Sequence, residues 1–208
     1  MNGVRWWLSA LAVFCLVLNS QGVPLYLIKD GRLEVAVVVP VQTAPEEMAA
    51  ARDLATYLER MSGDTVRFVS ATEASPDMSF IYVGPTGLRE FFIPKVETDT
   101  FLMRRVGRQI FLCGSTPQAT HMAVYRFLQE EGGVRWFMPG ELGEHVPRRQ
   151  DWEVDVLNKR VSPSFLSRNL SGLATEAERT WAERNGLHAL FEMGHNLHRV
   201  FPPELFGR

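Results

Sequence analysis

Residues 115–140, STPQATHMAVYRFLQEEGGVRWFMPG, are the stretch of sequence that decides the fold. Ser115 or Thr116 can cap a helix, Pro117 suits its first position, and a glutamine stands three residues after Ser115, as in a capping box. The paired glycines at 132–133 end this predicted helix. The stretch therefore predicts a capped helix, a glycine stop and a short aromatic strand or turn.

The region before this stretch predicts a buried strand followed by a helix. Residues 33–39, LEVAVVV, are apolar on both alternating faces apart from Glu34, which predicts a central strand covered on both sides. Thr43 and Glu46 match a second capping box, and apolar side chains then recur at helical spacing until Gly63. These side chains are Met48, Ala51, Leu54, Ala55, Leu58 and Met61.

Further strands are predicted at residues 66–69 and 80–83. Residues 101–105 and 109–113 flank a short turn and predict a hairpin. The order strand, helix, strands, hairpin, helix, strand predicts an α/β fold, a mixed sheet with two helices packed on it. One shared core is expected to contain Val37, Leu54, Leu58, Ile81, Leu112 and Phe127.

The N-terminal residues 1–22 are predicted to be a signal peptide. Arg5 supplies the positive charge, residues 6–18 are uncharged, and small and polar residues follow. The apolar run is shorter than the roughly 20 residues of a spanning helix, so no stable membrane anchor is expected. We expect cleavage between Leu18 and Pro24 and a secreted or periplasmic protein.

The charge and cysteine content argue against a nucleic-acid-binding protein and against a disulfide-stabilised one. The net charge is −2 and the basic residues are dispersed or paired with acids, so nucleic acid is not expected as a partner. Cys113 alone would remain after cleavage, so no intrachain disulfide is expected. It lies in an apolar run and is interpreted as a small buried hydrophobe.

The spacing of residues 119–140, A-x-x-x-A-V-Y-x-F-L-x-E-x-x-G-x-R-W-F-x-P-G, resembles a known glycosidase pattern. It is similar to the end of the N-terminal accessory domain that precedes the catalytic barrel in α-glucuronidases, β-N-acetylhexosaminidases and related secreted glycosidase-like proteins. The resemblance implies that residues 23–157 form such an accessory domain, like the second domain of hexosaminidases. It also implies a carbohydrate substrate.

The tail, residues 158–208, is interpreted as a linker at 158–163 followed by the first units of a barrel. Residues 163–170, PSFLSRNL, have the form P-x-F-x-x-R-x-L and resemble the first barrel strand of β-N-acetylhexosaminidases. The resemblance implies that Arg168 contacts the sugar, and a guanidinium fork suits paired hydroxyls or a uronate. A salt bridge is the alternative role for this arginine.

Residues 176–184 are predicted to be helical, and AERNGL within 182–187 resembles the first barrel helix of the glycosidase-like group. His195 falls where a second barrel strand would end, the face on which barrel active sites gather, so it is a second substrate-binding candidate. A complete barrel needs about 250 residues. We therefore expect a truncated barrel whose missing part is the partner of this chain and without which the chain is inactive.

No catalytic residue, metal site or cofactor is assigned. The carboxylate pair that glycosidases need would come from later barrel strands. Glu141 and Glu144 lie in a glycine-rich loop and predict a solvated turn. Glu192, His195 and His198 lack the H-E-x-x-H spacing of a zinc site.

The aromatic pair Trp136 and Phe137 could stack on a sugar, but it is interpreted as core between domains. The function expected from these observations is the accessory N-terminal part of a secreted glycoside hydrolase acting on poly- or oligosaccharides. Two alternatives stay open. One is a non-catalytic module that binds carbohydrate or protein, and the other is a zinc peptidase, against which the missing H-E-x-x-H argues.

Overall fold

A computed structural model describes residues 24–40, 43–73, 78–84 and 98–189. In this part the chain is a mixed α/β structure. The helices are α1 Pro45–Ser62, α2 Pro117–Glu130 and α3 Glu176–Arg184, with a 3-10 turn at Glu141–Gly143. The strands are β1 Tyr26–Lys29, β2 Arg32–Leu33, β3 Ala36–Val39, β4 Arg67–Ser70, β5 Phe80–Val83, β6 Phe101–Val106, β7 Gln109–Gly114, β8 Arg135–Trp136, β9 Glu144–His145, β10 Trp152–Glu153 and β11 Asn158–Val161.

The main sheet has six strands in the order β11-β6-β7-β5-β3-β4. Strands β4, β3, β5 and β7 are parallel, whereas β6 and β11 are antiparallel to their neighbours. The mixed sheet and the interior position of β3 confirm the central strand predicted within residues 33–39, but the strand is shorter than predicted, because Leu33 belongs to β2 in a smaller sheet. Two smaller sheets, β10-β1-β2 and β8-β9, flank the main one.

One core joins α1 and α2 to one face of the main sheet. All six residues expected there are fully buried in a single cluster: Val37, Leu54, Leu58, Ile81, Leu112 and Phe127. Ala36, Val38 and Phe80 form a second buried cluster on the opposite face. The sheet is therefore covered on both sides, as the doubly apolar strand predicted, and Cys113 is buried as expected.

The start of α1 differs by one residue from the predicted cap, whereas α2 is capped by Thr116, one of the two residues predicted for it. Ala44 is the N-cap of α1, and its N–H donates to the Glu47 carboxylate at 3.4 Å. The predicted box was wrong because Pro45, which lacks an N–H, takes the first helical position. For α2 the N-cap is Thr116, whose Oγ1 accepts from the N–H of Ala119 at 3.0 Å.

The hairpin of β6 and β7 confirms the sequence prediction. Val106 pairs with Gln109, so the turn consists of Gly107 and Arg108. Gly107 has a φ of 59°, the left-handed conformation that glycine adopts readily and that such two-residue turns require.

Two predictions in the C-terminal part need correction. Residues 158–163 were expected to be a linker, but Asn158–Val161 form β11, an edge strand paired with β6. Its side chains are mostly exposed, so the apolar alternation that marks a strand is missing. Of the aromatic pair, Trp136 is buried, but Phe137 is 72% exposed because successive side chains of an extended segment point in opposite directions.

The tail contains α3, with the bounds predicted from the sequence, and an isolated antiparallel bridge between Arg168 and His188. The start of a barrel stays a prediction. No helix in the described ranges is long and apolar enough to span a membrane. The predicted signal peptide, residues 1–22, lies outside those ranges.

Candidate functional site

The loop before β6 holds Asp99 in a fixed position. The hydroxyl of Ser115 donates to the carbonyl oxygen of Thr98 at 2.7 Å and accepts from the N–H of Thr100 at 3.1 Å. These bonds clamp the backbone on both sides of Asp99. Of the two residues predicted as the cap of α2, Ser115 therefore does not fill that role, because its hydroxyl is already used by this loop.

The start of α2 lies directly against the end of β7. A Cβ added to Gly114 would stand 2.3 Å from the carbonyl carbon of Ala119, so only glycine permits this approach. The approach places the Thr116 hydroxyl 3.1 Å from Asp99 Oδ1, to which it donates. The same hydroxyl caps α2, so the helix start and the carboxylate are coupled.

Asp99 binds two side chains of the tail. Its Oδ2 accepts from Arg168 Nη2 at 2.9 Å and contacts His188 Nδ1 at 2.7 Å. We call these residues, with Thr116, the Asp99 cluster. Burial alone would raise the pKa of Asp99, but the hydrogen bonds from His188 and Arg168 outweigh it and hold the pKa below its ordinary value. Asp99 is therefore ionised at neutral pH.

The guanidinium of Arg168 is fixed from several sides. Nε donates to the carbonyl oxygen of Gly186 at 2.8 Å, and Nη1 donates to that of Phe165 at 2.7 Å. The backbone of Arg168 exchanges two hydrogen bonds with His188, at 2.7 and 2.9 Å. The structure thus contains the salt bridge that was the alternative role for this arginine, here with Asp99.

A cavity of about 430 Å³ lies beside the Asp99 cluster. Arg168 and His188 both line it, and Arg179 and Glu183 supply its other charged side chains. Arg168 therefore reaches an open space as well as its salt-bridge partner. The sugar-binding role of Arg168 stays a prediction. His195, the other predicted substrate-binding residue, lies outside the described residues.

A second charged cluster surrounds Glu144, where the sequence predicted a solvated turn. The Glu144 side chain is only 9% exposed and pairs with Arg60 at 2.5 Å and with Arg184. Tyr57 also donates its hydroxyl to Glu144 at 3.1 Å. The prediction was wrong for Glu144 because α1 and α3 bring these partners from distant parts of the chain, whereas Glu141 is exposed as expected.

The pKa values of this Glu144 cluster follow from burial and charge. Burial would raise the pKa of Glu144, but the hydrogen bond from Arg60 and the charge of Arg184 outweigh it and lower the pKa. Burial raises the pKa of Tyr57 to about 12. The cluster therefore contains an ionised glutamate and a neutral tyrosine at neutral pH.

A larger cavity of about 750 Å³ opens at the Glu144 cluster, between α1 and α3. Its cationic lining residues, Arg60 and Arg184, both pair with Glu144. Apart from Glu144 itself, the other charged residues of the lining are Asp53, Glu141 and Glu176, all of them acidic. The cavity therefore disfavours anions. The main effect of the Glu144 cluster is to attach α3 to the α/β unit, by which we mean the three sheets together with α1 and α2.

Asp99 and His188 were missed by the sequence analysis. Asp99 lies 69 residues before Arg168 in a short polar stretch that has no distinguishing pattern. Only the fold brings the two together. Within the described ranges no group of three or more His, Cys, Asp or Glu side chains could hold a metal ion.

No protein-family model matches the chain, and no curated protein matches it. Among solved structures, the chain is similar to one titled "Structure of CpGH84D", a protein named as a member of glycoside hydrolase family 84. The TM-score is 0.33 at 13% sequence identity, and the match covers 44% of this chain but only 17% of that one. A likeness of this size carries no argument about activity.

Proposed function

We propose that this chain is the accessory N-terminal part of a secreted glycosidase-related protein that acts on poly- or oligosaccharides. The observation that supports the proposal is the position of Asp99. This carboxylate belongs to the α/β unit, yet it holds Arg168 and His188 of the following segment at the edge of a cavity. The α/β unit would thus serve to position a sugar-binding segment.

The attachment of that segment has a second point, which supports the same role. Arg184 of α3 pairs with Glu144, and Trp181 of α3 donates its indole N–H to the carbonyl oxygen of Trp136 at 3.0 Å. Both contacts hold the last turn of α3 against the paired strands β8 and β9, in which Trp136 lies opposite Glu144. An accessory domain that must orient a catalytic domain needs such a fixed attachment.

In this proposal, residues 1–22 direct export, and residues 23–157 together with β11 form the accessory domain. The residues that follow β11 begin a barrel whose later strands would provide the pair of carboxylates that glycoside hydrolysis requires. The partner of the chain is then the remainder of that barrel. The substrate is either a glucuronide or an N-acetylhexosaminide, the two classes implied by the sequence resemblance.

The test is a binding and turnover experiment on the purified full chain. Methyl α-D-glucuronide and methyl N-acetyl-β-D-glucosaminide are titrated while NMR spectra are recorded, and the corresponding aryl glycosides are tested for hydrolysis. We expect saturable binding that shifts the amide signals of residues 163–189, and no turnover. Binding of neither glycoside would overturn the proposal.

A matched pair of variants locates the binding. Arg168→Lys retains the positive charge but loses the planar fork, so it should weaken binding, whereas Arg179→Lys in the same cavity should change it little. If Arg168→Lys loses stability without losing affinity, the arginine serves only as a salt-bridge partner. Turnover by the chain alone would instead require a complete catalytic site within it.

A further inference from the structure

We infer that His188 is a second ligand-contacting residue of the 430 Å³ cavity, where its Nε2 accepts a hydroxyl hydrogen from a neutral, vicinal-diol ligand beside Arg168. Asp99 is the positioning residue that sets the imidazole for this contact. The inference rests on the proposed function, since it concerns the same cavity, and it selects between the two sugar classes left open there.

The contact with Asp99 fixes the tautomer of His188. Asp99 Oδ2 receives Arg168 Nη2 at 2.9 Å and also contacts His188 Nδ1 at 2.7 Å. An ionised carboxylate can only accept hydrogen bonds, so Nδ1 must carry the hydrogen. In a neutral imidazole the other nitrogen is then unprotonated and can only accept. Asp99 therefore determines what His188 can bind.

The other ring nitrogen of His188, Nε2, has no hydrogen-bond partner among the described residues. His188 lines the cavity, whereas Asp99 is not among the described lining residues and lies behind the ring on its Nδ1 side. The His188 side chain is 26% exposed, and no described residue hydrogen-bonds its Nε2. The acceptor nitrogen thus belongs to a side chain that lines the cavity and is partly exposed.

The Arg168 guanidinium supplies a hydrogen-bond donor at the same cavity. The Arg168 guanidinium has five N–H groups. Three of them donate to Gly186, Phe165 and Asp99, and Nη2 also lies 3.5 Å from the Met122 sulfur. One Nη1 hydrogen has no partner among the described residues. Among the residues that line the cavity, Arg168 and His188 therefore supply one donor and one acceptor, a combination that matches two adjacent hydroxyl groups.

The charges around the cavity determine the class of ligand. The charge of Arg168 is neutralised by Asp99, whose side chain is only 7% exposed. The remaining charged lining residues, Arg179 and Glu183, have opposite signs. The cavity thus has no excess positive charge to compensate the desolvation of a carboxylate. We expect a neutral sugar to bind more tightly than a uronate.

Two substitutions of His188 separate ligand contact from structural support. In His188→Asn the amide nitrogen can occupy the place of Nδ1 and still donate to Asp99, but nothing replaces Nε2. In His188→Gln the amide oxygen can occupy the place of Nε2, but the bond to Asp99 is lost. Both variants retain the backbone bridge to Arg168, and the experiment uses the full chain.

The expected results are opposite for the two variants. His188→Asn should unfold at nearly the wild-type denaturant concentration yet bind methyl N-acetyl-β-D-glucosaminide about three- to tenfold more weakly, the effect of one lost hydrogen bond. His188→Gln should be less stable but should retain more of the affinity. Long-range ¹H–¹⁵N spectra of the wild type should show that the neutral imidazole of His188 carries its hydrogen on Nδ1.

Three results would overturn the inference while leaving the proposed function in place. These are unchanged affinity in His188→Asn, a hydrogen on Nε2 of neutral His188, and tighter binding of methyl α-D-glucuronide than of the neutral glycoside. If the wild-type chain binds neither glycoside, the proposed function fails and this inference fails with it.

Discussion

The indole N–H of Trp181 donates to the backbone carbonyl oxygen of Trp136 at 3.0 Å. Trp136 is itself buried, and its own indole N–H donates to the Tyr57 hydroxyl at 2.8 Å. A chain of hydrogen bonds therefore runs from α3 through β8 to α1. Trp181 and Arg184, in the last turn of α3, are thus both attached to the β8-β9 pair.

The core prediction concerns Leu58, which is fully buried between α1 and the sheet. Leu58→Ala should lower the free energy of unfolding by about 2–5 kcal/mol, because it leaves a cavity in a closely packed core. Leu142→Ala is the matched control, since Leu142 is 97% exposed and its change should stay within about 0.5 kcal/mol. Denaturant titration measures both, and equal losses would contradict the packing of α1.

The Glu144 cluster leads to a second matched pair. Glu144→Gln removes the charge that Arg60 and Arg184 share and should lower the free energy of unfolding by about 1–3 kcal/mol, because Arg184 loses its charged partner in a partly buried place. Glu141→Gln in the same loop is exposed and should be nearly neutral. Similar effects of the two substitutions would contradict these ion pairs and would mean that Glu144 lies in a solvated turn.

The dependence of stability on pH follows from two carboxylates with lowered pKa values, Asp99 and Glu144. Between the ordinary and the lowered pKa, the unfolded chain binds more protons than the folded one. The stabilisation is therefore complete above the ordinary carboxyl pKa values and is lost as the pH falls through them toward the folded values. Denaturant titrations between about pH 7 and pH 3 should show this loss.

A variant identifies the source of that acid sensitivity. In Glu144→Gln the side chain cannot titrate, so part of the decline between neutral and acid pH should disappear. Glu141→Gln again serves as the control, and it should retain the wild-type slope. If the slope is the same in both variants, the acid sensitivity arises from other groups.

The cap of α2 can be tested at Thr116. Thr116→Ala removes both the cap to Ala119 and the bond to Asp99, so it should lower the free energy of unfolding by about 0.5–2 kcal/mol. Thr116→Ser retains the hydroxyl and should stay close to the wild type. If serine is as destabilising as alanine, the methyl group rather than the hydroxyl accounts for the effect.

Local pattern was sufficient for much of the fold. The doubly apolar residues 33–39, the spacing of the apolar side chains in α1 and the turn at Gly107 predicted β3, α1 and the β6-β7 hairpin. It was not sufficient for β11, whose side chains are polar because they lie at a sheet edge and need no apolar cover. The short strands β1, β2, β8, β9 and β10 also lacked a pattern that predicted them.

The sequence by itself determined the mixed α/β class, the residues of the core and the bounds of α3. The reason is that the spacing of apolar side chains along the chain indicates which positions are buried and which segments are helical. Only the tertiary structure decided the charged clusters. Asp99 meets Arg168 across 69 residues, and Glu144 meets Arg60 across 84. Ion pairs of this separation depend on the packing of whole elements, which no local spacing encodes.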